Sequence, residues 1–212
     1  VTMSHYEPPL HFVREYNGWY DRRSIDFFLR YVDVITKRYK DKVKYWLTFN
    51  EIDSIMRNPF MTGGLIESRF PPEKFEEVCY QAMHHQFVAS ALATKITHEN
   101  IPDAKVGCMI TKLTYYPYSC KPEDVLASQQ AMRRLYCFSD IQVFGEYPAY
   151  LKAHFKQAGI HLQIEDGDLD IMKQYPVDFV SFSYYSSSCA AADAEGLDLT
   201  SGNTVVAIKN PY

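Results

Sequence analysis

The sequence predicts an α/β fold with parallel strands, and among such folds it favours the eight-stranded (β/α) TIM barrel, represented here by about four strands with their crossover helices. Three observations carry that expectation. Strand-like and helical runs alternate along the chain, the apolar and aromatic run Val43 to Phe49 stops abruptly on Asn50-Glu51, and no glycine-rich phosphate turn follows any strand. Alternation is what parallel strands joined by right-handed crossovers require. A doubly wound nucleotide binder would carry G-x-G-x-x-G or G-x-x-x-x-G-K-[ST], and neither occurs, which leaves the barrel.

Val1-Thr2-Met3 is extended and apolar and opens the chain as a strand, followed by an irregular stretch containing Pro8, Pro9 and Gly18. From Ser24 to Tyr39, residues Ile25, Phe28, Leu29, Val32, Ile35 and Tyr39 fall at helical spacing, with Asp21 or Ser24 able to cap the start. Residues 44–49 form the second strand. A long loop spans residues 53–71, and Pro72 then opens a helix to about Glu99, lined by Phe75, Val78, Ala82, Phe87, Leu92 and Ile96. Lys105 to Thr111 form a third strand. Helical segments follow at Pro122 to Ser139, Pro148 to Gln157 and Asp166 to Gln174, then a fourth strand from Val177 to Ser183. Tyr184 to Tyr212 reads as a long excursion of weak periodicity. A complete barrel needs eight strands in roughly 250 residues. Four strands in 212 residues, starting on Val1 inside a strand, are expected to be a single partial-barrel domain over 1–212, excised from a longer chain.

Composition narrows the partners. With 47% hydrophobic and 15% aromatic residues the chain folds around a sizeable core. The net charge of −4, with Lys and Arg scattered among Asp and Glu, offers no basic face to nucleic acid or anionic lipid. No apolar run reaches the roughly 18 to 20 residues of a membrane span. Five widely spaced cysteines, Cys79, Cys108, Cys120, Cys137 and Cys189, form no C-x-x-C pair, so free thiols and a cytoplasmic location are expected. No cofactor or metal pattern is present. Seventeen Tyr and thirteen Phe suit a site that stacks sugar faces, although barrel packing alone accounts for them.

Barrel chemistry sits at the C-terminal ends of strands, so Glu51 is a candidate acid or base. A strand-end Glu taken alone is more commonly a structural or solvated carboxylate. His5 and Tyr185, each taken alone, read as a satisfied structural histidine and a packing tyrosine.

Thr48-Phe49-Asn50-Glu51, joined to Lys42-Val43-Lys44-Tyr45-Trp46, resembles the acid/base motif of glycoside hydrolase family 1. Further stretches are similar to its phospho-sugar branch, the 6-phospho-β-glucosidases: Val1 to Leu10, Tyr16-Asn17-Gly18-Trp19, Ala91 to Lys95, Val106 to Met109, Pro122-Glu123-Asp124, Asp178 to Tyr185 and Lys209 to Tyr212. The resemblance runs from end to end and implies barrel strands three to six. It implies Glu51 as general acid/base, Asn50 as the partner of the sugar 2-hydroxyl, His5 on glycone hydroxyls and Tyr185 on the nucleophilic carboxylate. Tyr6 and Ser183 stand where Trp and Asn are common among β-glucosidases. The family's nucleophile belongs to an E-N-G motif, and here Glu99-Asn100 is followed by Ile101. Retaining hydrolysis needs two carboxyls about 5 to 5.5 Å apart, so this chain would supply one of the pair. The phosphate-binding group and the first two strands lie outside the sequence as well.

The expected substrate is a small phosphorylated β-glucoside. 6-Phospho-β-galactosidase or β-glucosidase activity is the alternative within the class, and a non-catalytic half barrel that self-associates through its open strand edges is the alternative outside it. Of the remaining polar residues, His84 and His85 are expected to divide between a core hydrogen bond and solvent. Asp53 and Glu67, in the long loop after the second strand, read as plain surface, with the border of an aglycone site as the alternative; Glu73 to Glu77 read as a solvated first turn and Cys108 as buried and inert.

Overall fold

The computed structural model describes residues 1–200 and 206–212. Its centre is a sheet in the order β1-β2-β3-β4-β5, comprising β1 (Thr2–Ser4), β2 (Tyr45–Phe49), β3 (Lys105–Pro117), β4 (Phe179–Ala190) and β5 (Ile208–Lys209). The first four strands are parallel and β5 is antiparallel to β4. The helices are α1 (Leu10–Tyr16), α2 (Ser24–Tyr39), α3 (Pro59–Gly63), α4 (Phe75–Asn100), α5 (Pro122–Phe144), α6 (Ala149–Ala158) and α7 (Asp168–Gln174).

The expected alternation is therefore present, with four differences. The stretch after the two prolines contains the short helix α1, the expected loop 53–71 contains α3 and 3₁₀ turns, and the 3₁₀ turn Pro72–Lys74 precedes α4. The last two parallel strands run on well past Thr111 and Ser183. They pair with each other as far as Pro117 and Ala190, and such mutual pairing carries a strand beyond the point where local pattern fades. The excursion after Tyr184 accordingly contains the end of β4 and the short β5, while residues 201–205 lie outside the described residues.

Helix α4 organises the packing. It is buried on most of its circumference, including Ala82, Met83, Phe87, Val88, Ala89 and Ala93, as befits a helix enclosed on several sides. Its Ser90 hydroxyl lies 2.8 Å from that of Thr48 on β2 and donates to Gln142 Oε1 of α5 at 3.1 Å, so one buried polar chain ties strand to two helices. Beside it Trp19 meets Phe28 and Phe49 edge-on, and Phe28 stacks on Phe49 at 4.9 Å. Gly18 makes this corner possible. It has φ +59, and a Cβ there would lie 2.0 Å from the Gly63 carbonyl oxygen.

Both mid-helix histidines are buried and bonded, which corrects the expectation that one would face solvent. His84 Nδ1 lies 2.8 Å from the Tyr147 hydroxyl and its Nε2 lies 2.9 Å from Asp168 Oδ2. Arg22 closes on the same carboxylate with two guanidinium nitrogens at 2.9 and 2.5 Å. His85 Nδ1 donates to the Trp19 carbonyl at 2.8 Å, with Gln81 at its other nitrogen. A one-dimensional pattern cannot show this, because the partners come from loops and helices about 60 to 85 positions away.

Burial pushes both histidines below their ordinary range, against the pull of Asp168 and the Trp19 carbonyl. Burial also pushes Asp168 up, but its bonds to Arg22 and His84 outweigh this and hold its carboxyl below the usual range. For the histidines the unfolded chain takes up protons at higher pH than the folded one. Their stabilisation is therefore complete above the unfolded value of about 6.5 and is lost as pH falls. The urea midpoint is expected to drop from about pH 7.5 to about pH 5.5, at up to about 1.4 kcal/mol per pH unit for each histidine, and His85→Gln should flatten that slope. A midpoint indifferent to pH across this window, with no effect of the substitution, is the contrary result.

Candidate active site

The register of the first two strands sets the site. Thr2 pairs with Leu47 and Ser4 with Phe49, and the Asn50 amide donates to the Ser4 carbonyl at 2.9 Å. His5 and Tyr6 therefore leave β1 alongside Asn50 and Glu51 leaving β2. Tyr6, Glu7 and Glu51 all take left-handed backbone conformations, at φ 60, 55 and 41. Non-glycine residues rarely adopt them, and such strain gathers where a side chain must be aimed.

Glu51 is 7% exposed and both of its carboxylate oxygens are occupied. The Tyr6 hydroxyl donates to Oε2, and the Tyr185 hydroxyl donates to Oε1 at 2.8 Å. Burial, with the bond to Glu51 added, raises the Tyr6 phenol well above its ordinary range. The same carboxylate, through its hydrogen bond, raises Tyr185. Tyr185 reaches Glu51 because of a bulge: Lys112 pairs with Tyr184 and Leu113 with Ser186, leaving Tyr185 as the extra residue. Bulges re-aim single side chains in this way.

Asn50 is 8% exposed, and its side-chain amide makes no hydrogen bond to the described residues, so it is free to meet a ligand beside Glu51. His5 is exposed, with its ring edge-on to Tyr6 at 5.6 Å. Three of the four residues singled out from sequence thus lie at the adjoining ends of β1 and β2, and the fourth, Tyr185, reaches Glu51 from the bulge within β4.

The turn after Glu51 holds what sequence reading missed. Asp53, expected at the surface, is 1% exposed. It accepts from the Thr111 amide of β3 and from Arg57 Nη1, each at 2.8 Å. Arg57 Nη2 donates to Ser54 Oγ and Thr111 Oγ1, also at 2.8 Å each. Burial pushes the Asp53 carboxyl up, and Arg57 and the Thr111 amide draw it back only in part. The Asp53–Arg57 spacing of four residues was the available signal, but their shared partner on β3 is 54 to 58 positions away. Glu67 is exposed, as expected.

A buried strand-end carboxyl between two phenols can give and take a proton beside a bound substrate. Residues 1–211 match the sequence profile of glycosyl hydrolase family 1. The chain belongs to that family. It is similar to an aryl-phospho-beta-D-glucosidase of Bacillus subtilis, at 47% identity over 212 residues, and to a 6-phospho-beta-glucosidase of Clostridium longisporum, at 46%. Both alignments take in all of this chain, which spans 45% and 44% of the respective relatives. Among solved structures, the family 1 b-glucosidase from Thermotoga maritima superposes with a TM-score of 0.74 at 25% identity, over 92% of this chain and 43% of that one. The sheet β1 to β4 with its crossover helices is thus part of a family 1 TIM barrel, as expected from the sequence.

Within this family 1 segment the Asp53 clamp is the joint between β2 and β3. Asp53→Ala leaves Arg57 without its buried partner and is expected to cost about 3 kcal/mol of stability in urea unfolding. A loss below about 0.5 kcal/mol would show the clamp to be dispensable.

Proposed function

We propose that this chain is the acid/base portion of a retaining glycosidase acting on 6-phospho-β-glucosides, with residues 1–212 forming one partial-barrel domain of that enzyme. The observation that carries the reading is Glu51, buried at the end of β2 with a phenol on each oxygen and the Asn50 amide beside it. Relatives named as 6-phospho-beta-glucosidases, 44 to 46% identical across the whole chain, support the substrate class, as does an aryl-phospho-beta-D-glucosidase at 47%.

In this reading Glu51 protonates the glycosidic oxygen as a second carboxylate, supplied from outside these 212 residues, attacks the anomeric carbon. Glu51 then takes a proton from the water that releases the sugar. Asn50 holds the 2-hydroxyl and His5 the glycone hydroxyls. Tyr185, which the resemblance assigns to that second carboxylate, bonds Glu51 in this structure. Five free cysteines among the described residues accord with a reducing, cytoplasmic setting.

In the full-length enzyme Glu51→Gln is expected to lower turnover of an aryl 6-phospho-β-glucoside by about 10²- to 10⁴-fold, the usual share of acid–base catalysis. Azide should restore part of that rate, because an anion attacking the glycosyl intermediate needs no general base. The 212-residue chain alone should hydrolyse the substrate at close to background. Full turnover by Glu51→Gln would refute the assignment.

The open sheet favours self-association as a further property. β1 pairs on one side only among the described residues, and Val180, Phe182 and Tyr184 on β4 are 46 to 58% exposed. Light scattering of the chain should give a mass above that of one copy, and a sharp monomer peak would count against it.

A further inference from the structure

The acid/base reading leaves a question of geometry. A Glu carboxyl sits at the end of a flexible side chain, and a proton donor displaced by about 1 Å can lose on the order of a hundredfold in rate. The resemblance assigns Tyr185 to the other carboxylate and assigns nothing to Tyr6. We infer that Tyr6 is a positioning residue for Glu51, its hydroxyl holding Oε2 in place, and that Ser54 and Arg57 orient Tyr6 from behind. This deepens the proposed function and rests on Glu51 being the acid/base.

The direction of the hydrogen bonds supports it. A guanidinium only donates, so Ser54 Oγ accepts from Arg57 Nη2 at 2.8 Å. The Ser54 hydrogen is then available to the Tyr6 oxygen, at a looser 3.4 Å, or to Thr111 Oγ1 at the same distance. Tyr6 gives its own hydrogen to Glu51. With the Ser54 hydrogen directed to Tyr6, the donors run one way, from the cation through Ser54 and Tyr6 to the carboxyl, and each bond polarises the next. Arg57 is itself fixed by buried Asp53, which is bonded to the β3 backbone. The aim of Glu51 is thereby referred to two neighbouring strands, β1 through Tyr6 and β3 through Asp53.

The backbone gives independent support. Tyr6 and Glu51 both hold left-handed conformations, at φ 60 and 41, which non-glycine residues keep only where the surroundings impose them. Packing alone would not ask this of Tyr6, since its residue is only half-buried. Two strained residues that face each other and share a hydrogen bond are what a held carboxyl requires.

The kinetic test uses the full-length enzyme and aryl 6-phospho-β-glucosides whose phenols span a range of acidity. An acidic phenol departs with little help, whereas a basic one needs the proton from Glu51. Tyr6→Phe should lower kcat/KM about tenfold for the most basic phenols and little for the most acidic, with Ser54→Ala giving a weaker version of the same trend. A uniform loss across the series would mark Tyr6 as mere packing and overturn the inference. Should Tyr6→Phe fail to fold, Ser54→Ala decides by the same criterion. The second readout is ring-¹³C tyrosine NMR, in which Tyr6 should titrate above the ordinary phenol range and move down on Glu51→Gln. A Tyr6 resonance indifferent to that substitution also overturns the inference. If the unsubstituted enzyme hydrolyses none of the series, the acid/base reading fails, and the NMR result alone decides whether Tyr6 holds Glu51.

Discussion

The site depends on one constraint, the pairing register of β1 with β2. With Ser4 opposite Phe49, the residues that follow leave the sheet in step, His5 beside Asn50 and Tyr6 beside Glu51. A slip of one residue would turn every side chain of β1 to the other face. The register is held from behind by burial. Met3 and Phe49 enter the same core, and Trp19 and Phe28 close over Phe49 with edge-on and stacked contacts. Aromatic pairs of this kind add about 0.5 to 1.5 kcal/mol beyond the area they bury, so the strand ends inherit their position from packing on the helical side.

The second determinant is the way charge is buried. Asp53 and Asp168 are each 1% exposed, and each is met by an arginine and by a backbone amide. Breaking such a pair is costly, while forming it adds little net stability, so its contribution is chiefly to location. Asp53 ties the turn after Glu51 to β3. Asp168 ties α7 to α4 and to the segment before α2 through His84 and Arg22. The first clamp borders the candidate site, and the second holds together the helices that cover its strands.

Much of this architecture was legible beforehand. The helical stripe of Ser24–Tyr39 matches α2, the strand before Asn50 matches β2, and the crossover order matches the parallel sheet. These features are local periodicities, which survive without knowledge of partners. Motif resemblance brought out Asn50 and Glu51 for the same reason, since they adjoin one strong strand. The surface reading of Asp53 and the division of His84 and His85 failed because polar residues in helices and loops carry no periodic signature of burial. What buries them is a distant chain segment. The length of β3 and β4 was missed likewise, because each is extended by the other.

From sequence alone come the alternating α/β order, the family resemblance, and a carboxyl and an amide at the end of the second strand, all consequences of contiguous pattern. Tertiary structure alone decides how that carboxyl is aimed. Tyr6 is brought to Glu51 by strand register across 45 positions, and Tyr185 by a bulge across 134. Arg57 is placed by a buried aspartate bonded to a third strand. Pairing, bulging and burial are properties of contact between segments, and no single segment encodes them.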